Sequence, residues 1–462
     1  MDTILCTYDQ NQPDEAAASI DLAAKILQQG GLVAFPTETV YGLGGDALDP
    51  SASMRIYAAK GRPSDNPLIV HIADKADVWK LAEEVPETAV MLMEAFWPGP
   101  LTIILRKKPV VPDATTGGLS TVAIRMPSHP AAMEMIRRSG VYVAAPSANR
   151  SGRPSPTTAE HVREDLFGAI DMILDGGPVG IGIESTIVDL TGEVPMILRP
   201  GYITREMLSA IVGPVELDPS LEQLDAEVLG GAGAVTASTA TTTDSAKTQE
   251  SAGQTDDPAD LSGSTGQTDD QTDISDSTGP TDGRAGIARA NGQTDDRAGI
   301  ARAIGQSGSA GSPGKNSDLP AEDTVMQHPK APGMRYTHYA PHGTLSIITD
   351  REHPEQVTQA VTAEILRLTK EALAEERETA ILTTGEHASA YDSLTEVPHF
   401  HKILLGDADD GQTVAAHLYG ALRTCDTLGC EVIYSESFRR DALGSAIMNR
   451  LVKAAGHRVI SV

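Results

Sequence analysis

The sequence predicts an α/β protein in two folded parts, and three observations carry that prediction. Short apolar runs of strand length alternate with longer segments of helical apolar spacing, once before residue 215 and again after residue 344. Between these parts, from about 221 to 330, the composition changes to one that cannot build a core. In the first part, strand after strand runs into a short polar loop, the arrangement from which binding sites are usually assembled on a rigid scaffold.

Taken in order, residues 19–29 (SIDLAAKILQQ) place apolar side chains at helical spacing, and Gly30-Gly31 stops the helix. Residues 32–35 read as a buried strand. It enters a loop at 36–45, PTETVYGLGG, whose glycines let backbone approach a ligand and whose hydroxyls can donate to an anion. A helix over 52–59 runs into Lys60-Gly61-Arg62. Pro63 pushes Arg62 towards extended geometry, so the helix should end there. Asn66-Pro67 signals a turn, and Leu68-Ile69-Val70 is a strand that delivers His71. One or two amphipathic helices span 76–95 and close at Trp97-Pro98-Gly99-Pro100. Strands are expected at 101–105, 121–125, 141–144, 170–174, 186–188 and 197–198, with a helix over 130–139. The strand ends bring Thr37, His71, Arg125, Ser147, Ser185 and Arg199 to loops, and two cations one residue apart at Lys60 and Arg62 suit an anion clamp: Arg as a fork, Lys as a point charge.

Charge and cysteine usage narrow the function. The formal net charge is −28 over 462 residues. Tight non-specific binding to nucleic acid needs clustered Lys and Arg, so no stable nucleic-acid partner is expected and any phosphate must be met by local cations. The three cysteines, Cys6, Cys425 and Cys430, form no CxxC pair and complete no zinc site. No apolar run is long enough to span a bilayer and no N-terminal signal precedes the first helix, so a cytoplasmic location without membrane contact is expected.

Ordered blocks then identify a family. FPTETVYGLGGDA at 35–47, AKGRPSDNPLIVHI at 59–72, WPGPLT at 97–102, TVAIRMP at 121–127, AAPSAN at 144–149, RPSPT at 153–157, ESTI at 184–187 and RPG at 199–201 together resemble the YrdC-like L-threonylcarbamoyladenylate synthases. Lys60-x-Arg62 and Ser147-x-Asn149 match that family's KxR…SxN signature. The resemblance implies a YrdC-like twisted α/β domain with a concave site over about 10–215. The implied reaction joins L-threonine, bicarbonate and ATP into threonylcarbamoyl-AMP and pyrophosphate. The product serves N6-threonylcarbamoylation of the adenosine next to the anticodon in tRNAs reading codons that start with A, through downstream transfer proteins. By the same resemblance Thr37, His71, Arg125, the Ala145 backbone and Ser185 hold threonine. Arg62, Asn66, Thr121, Ser147, Ser155 and Arg199 hold ATP, and Lys60 and Asn149 complete the catalytic signature with Arg62 and Ser147. Mg²⁺ is expected to arrive on the triphosphate, with no dedicated protein metal site and no organic cofactor. His71 is either a general base or a hydrogen-bonding group. A carbamoyltransferase of metal-centre maturation would share the pocket but needs paired CxxC modules, which are absent.

From 221 to 330 there is no Phe, Trp or Tyr, and 18 acidic residues stand against 7 basic ones. GQTDD occurs at 253–257, 266–270 and 292–296, and RAGIARA at 284–290 and 297–303. A disordered acidic linker is expected. Residues 332–341, PGMRYTHYAP, resemble the segment that covers the nucleotide pocket in the long, two-domain form of the family. The covering segment is set at 331–343, with Tyr339 at the position that contacts ATP. Residues 344–462 alternate strand and helix and predict a smaller, Rossmann-like open α/β sheet, the accessory domain of the long form, without a GxGxxG or P-loop.

Overall fold

The structure, a computed structural model, describes residues 2–223, 329–332, 339–438 and 443–462. The linker expected at 221–330 lies, its two ends apart, outside the described residues, as do residues 333–338 of the covering segment.

The N-terminal part carries eleven strands: β1 (Ile4–Thr7), β2 (Val33–Phe35), β3 (Gly42–Asp46), β4 (Ile69–His71), β5 (Leu101–Arg106), β6 (Thr121–Arg125), β7 (Val143–Ala145), β8 (Met172–Asp175), β9 (Thr186–Asp189), β10 (Met196–Arg199) and β11 (Glu216–Leu217). They form one mixed sheet in the order β1-β8-β2-β3-β7-β4-β6-β5-β9-β10-β11. Helices α1 (Pro13–Gln28), α2 (Pro50–Lys60), α3 (Val78–Leu81), α4 (Glu87–Phe96), α5 (Asp113–Thr116), α6 (Pro130–Ser139), α7 (Ala159–Leu166) and α8 (Arg205–Val212) cover it. One core joins Ile56, Tyr57, Leu68, Val70 and Ile124; a second joins Ile20 and Leu27 of α1 with Phe35, Met135 and Leu174.

The sheet centre matters most for function. β4 pairs in parallel with β6, placing His71 opposite Arg125, and antiparallel with β7, placing Ile69 opposite Ala145. β4 and β6 thus end side by side in His71 and Arg125, while antiparallel β7 ends in Ala145 two residues back, beside Ile69. The glycine-rich stretch read as a loop is partly a strand: β3 pairs with β2 and β7. The reason is steric. A Cβ on Gly44 would stand 2.6 Å from Val143 Cγ1 and 2.9 Å from Phe35 Cε1, so only a residue without a side chain lets β3 lie there. Composition registers the glycines but not the neighbours they make room for.

The second part has β12 (Thr344–Thr349), α9 (Gln359–Ala374), β13 (Thr379–Thr383), β14 (Phe400–Leu404), α10 (Gly411–Thr427), β15 (Val432–Glu436), α11 (Gly444–Ala454) and β16 (Val459–Ser461). Its sheet, β14-β13-β15-β12-β16, is parallel throughout, as a strand–helix alternation requires. The described residues of both parts belong to one compact unit. No helix among them is long and apolar enough to cross a membrane.

Candidate active site

The KxR loop begins at the end of α2. Asp49 caps the helix by accepting from the Ser51 backbone N–H at 2.8 Å, and Pro50 sits at its first turn. Gly61 ends it in the left-handed conformation, φ 62°. Lys60, the last helical residue, is buried and points its ammonium at the next signature: Nζ donates to Ser147 O at 2.5 Å, to Asn149 O, and to Asn149 Oδ1 at 3.3 Å. Burial, then the neighbouring Arg62, pulls its ammonium well below the usual lysine range. Arg62, beyond the cap, donates to the carbonyls of Asn66 and Pro67, the latter at 3.1 Å. Ser147 Oγ donates to Asn149 Oδ1 at 2.6 Å, while Asn149 Nδ2 donates to Arg150 O and Arg153 O. The two halves of the KxR…SxN signature are therefore one hydrogen-bonded unit.

At the strand ends, Arg125 is 5% exposed at its side chain, and Nη2 lies 2.8 Å from Glu38 Oε1. Nε and Nη2 are nevertheless buried without a hydrogen-bond partner, so the contact with Glu38 is an ion pair without aligned hydrogens. His71 packs edge-on to Phe35, and its Nδ1 lies 3.1 Å from Ile69 O. That contact makes Nδ1 the protonated nitrogen and leaves Nε2 an acceptor. Burial, then Arg125, pushes the imidazole down to about 3. A ring held neutral to so low a pH is a feeble proton acceptor and is suited to hydrogen bonding. Thr37 Oγ1 donates to Val40 O at 2.7 Å and accepts from the backbone N–H groups of Thr39 and Val40, fixing its own loop.

On the other side, Arg199 donates to Ser185 O at 3.1 Å, to Ser185 Oγ at 3.2 Å and to Pro332 O at 3.4 Å. Ser185 Oγ also meets Thr102 Oγ1 at 2.8 Å. Tyr339 is buried with its ring stacked on Tyr419 of α10, centroids 5.1 Å apart. Burial and the charge of Glu184 push its phenol up to about 12.

These groups line one cleft of about 690 Å³, its open mouth included. Of the residues expected from sequence, Thr37, Lys60, Arg62, His71, Arg125, Ala145, Ser147, Asn149, Ser185, Arg199 and Tyr339 are in its wall. Three are not. Asn66 is buried behind Arg62, whose guanidinium its carbonyl accepts. Ser155 is buried behind Glu184, to which it donates at 2.6 Å. Thr121 opens β6 opposite Arg106, on the same face of the strand as Arg125 but four residues away. Residues that composition and motif left unassigned are Glu38, which faces Arg125, and Glu184, which has partners in both parts of the chain. Glu184 opens the quoted ESTI block, but its partners Tyr419 and Arg450 lie more than two hundred residues away, where no local pattern points.

Comparison with known proteins follows the same division. A Sua5/YciO/YrdC family model, described as telomere recombination, matches residues 25–201; a model for the C-terminal domain of threonylcarbamoyl-AMP synthase matches 297–456. The first match defines the class of the cleft-bearing domain. The full length is matched by the threonylcarbamoyl-AMP synthase of Bacillus subtilis, 38% identical over 95% of this chain and 93% of the relative. That of Pyrococcus abyssi is 36% identical over 96% of each. The crystal structure of P. abyssi Sua5 complexed with L-threonine superposes with a TM-score of 0.69 at 33% identity, covering 100% of both chains. The chain belongs to the threonylcarbamoyl-AMP synthase family, in its two-domain form.

Proposed function

We propose that this enzyme condenses L-threonine, bicarbonate and ATP into threonylcarbamoyl-AMP and pyrophosphate. The product then passes to separate proteins that modify the adenosine beside the anticodon of tRNAs reading codons that start with A. The observation that carries the reading is the pairing, in one cleft, of a buried Arg125 fork with unpaired donors and a second set of phosphate-seeking groups, Arg62, Arg199 and Ser147. A buried donor without a partner is costly unless a ligand completes it, and a carboxylate fits a guanidinium fork bidentately. The threonine carboxylate goes to Arg125, and the neutral His71 accepts a hydrogen bond from the same amino acid through Nε2. Thr37, the Ala145 backbone and Ser185 close its pocket.

The chemistry balances without a protein nucleophile. Threonine's amine adds to bicarbonate with loss of water, giving a carbamate. A carbamate oxygen attacks the α-phosphorus of ATP, the bond to the β-phosphate oxygen breaks, and pyrophosphate leaves with the electron pair. What the protein supplies is alignment and charge. Arg62 and Arg199 meet the phosphates. Lys60 holds the Ser147–Asn149 loop in place so that Ser147 faces the nucleotide. Mg²⁺ fits as a passenger of the triphosphate: Glu184 is the one carboxylate among the described lining residues, and it is engaged by Arg450. Carried on the triphosphate, the ion would neutralise phosphate charge. Tyr339 covers the nucleotide. The cytoplasm, where tRNA is modified, is the proposed location.

The test is direct. The purified chain with ATP, Mg²⁺, threonine and bicarbonate should release pyrophosphate and form threonylcarbamoyl-AMP, detected by mass. Release that does not depend on both threonine and bicarbonate would refute the assignment.

A further inference from the structure

Glu184 is an unexpected neighbour for a triphosphate, and the structure shows how it is held. It is buried, 6% exposed. Ser155 occupies Oε1 from its own domain. The remaining partners come from the second domain. Tyr419 Oη, on α10, lies 2.9 Å from Oε2 and 3.1 Å from Oε1. Arg450, on α11, donates from Nε to Oε2 at 3.2 Å; its other nitrogens donate to the carbonyls of Glu184, Pro200 and Ala446. Arg450 is wholly buried. The loop carrying Glu184 is pressed onto α10: at Gly182, φ +82°, a Cβ would stand 2.4 Å from Ala415 O. Arg199, in the same wall, directs its hydrogen bonds to Ser185 and Pro332.

An unpaired carboxylate here would do two kinds of harm. It would repel the phosphates, and it would offer Arg199 a bidentate partner that competes with them. Arg450 and Tyr419 limit both by engaging its two oxygens from the second domain. Burial alone would raise the Glu184 carboxyl, but Arg450, then Arg199, pull it down to about 2, so it stays charged and already attracts Arg199; the bonds from Arg450 and Tyr419 limit that pull.

We propose that Arg450 and Tyr419 are positioning residues for the nucleotide subsite: they hold Glu184 back so that Arg199 remains available to ATP. The inference rests on the ATP assignment above, and it gives the second domain a part in nucleotide binding. Tyr419 joins it to the covering segment, because the ring that bonds Glu184 is also the one on which Tyr339 stacks.

The experiment is equilibrium titration of the full chain with MgATP and, separately, with threonine, by calorimetry. Arg450→Met should weaken ATP at least about tenfold, the loss expected when one charged hydrogen-bond partner is diverted, with threonine affinity within about twofold. Glu184→Gln/Arg450→Met should recover ATP affinity to within about threefold of the parent, because the competitor for Arg199 is then neutral. A merely structural ion pair would also be relieved by neutralising Glu184, but its loss would weaken threonine together with ATP, so the separate threonine titration distinguishes the two roles. Where Arg450→Met fails to fold, Tyr419→Phe decides: it removes one oxygen, keeps the stacked ring and should weaken ATP about threefold, again recovered by Glu184→Gln. The proposal is overturned if ATP binding is unchanged in these single variants, if the double variants stay as weak as the singles, or if threonine affinity falls equally. A parent chain that binds no ATP would instead sink the functional assignment itself.

Discussion

Replacing Arg125 by lysine tests the threonine pole with the fold left in place. Lysine keeps a cation opposite Glu38, so the buried carboxylate, 14% exposed at its side chain, is not abandoned. What disappears is the fork. In the parent, Nε and Nη2 are buried donors with no hydrogen-bond partner, available together to one carboxylate. Each charge-assisted bond contributes about 1.5–3 kcal/mol. A lysine replaces the pair with a single bond, so the loss is one bond, or roughly 10- to 100-fold in threonine affinity. The Glu38 contact does not offset this, because it is given up to the ligand in both proteins. Calorimetric titration with threonine, paired with the threonine KM for pyrophosphate release, should show the loss, while ATP affinity changes by less than about threefold. Threonine binding within twofold of the parent, or an equal loss for ATP, would refute the placement of the carboxylate at Arg125.

Arg62→Ala should weaken ATP by at least about tenfold while the melting temperature is nearly kept, since Arg62 is only half-buried and bonds two carbonyls of its own loop; unchanged ATP affinity would remove it from the site. Tyr339→Ala should weaken nucleotide binding and raise hydrolytic loss of product, read as the ratio of pyrophosphate released to threonylcarbamoyl-AMP recovered; an unchanged ratio and affinity would make Tyr339 a packing residue against Tyr419. His71, held at about 3 against an ordinary 6.5, binds its proton in the unfolded chain first, so its contribution is complete above pH 6.5 and is lost as pH falls towards 3. Denaturant titrations should show stability falling by up to about 1.4 kcal/mol per pH unit through that window on its account, and His71→Asn should flatten the slope.

Much of the site was legible because its residues sit at strand ends, where short apolar runs stop and a polar residue follows. Ile69–His71 and Thr121–Arg125 are of this kind, and the sheet pairs their last residues. The second domain was legible as alternating elements for the same reason. Three things were not. Gly42–Asp46 is a strand whose evidence is the absence of side chains, so no strand propensity marks it. Ser155 and Asn66 belong to motif blocks but stand behind Glu184 and Arg62 rather than in the cleft wall, a distinction that depends on tertiary depth. The partners of Glu184 lie 235 and 266 residues away in sequence, and nothing local to a Tyr in α10 or an Arg in α11 announces that its carboxylate is in another domain.

The partners of the cations explain how a chain of formal charge −28 can keep an anion site. Lys60 and Arg199 are buried, and their hydrogen bonds run to carbonyl, amide and hydroxyl oxygens. A neutral dipole fixes a cation in place without cancelling its charge, whereas a carboxylate does both. Exposed acids elsewhere on the molecule are screened over about 8 Å at physiological salt, while charges inside the cleft are screened far less. Local positive potential therefore survives against the overall balance. Two of the carboxylates beside this machinery are treated differently. Glu38 lies on Arg125 without aligned hydrogens, a contact that a better-fitting carboxylate can displace. Glu184 is engaged by Ser155, Tyr419 and Arg450. On the proposed assignment, one acid holds a place for a ligand and the other is kept out of its way by the other domain.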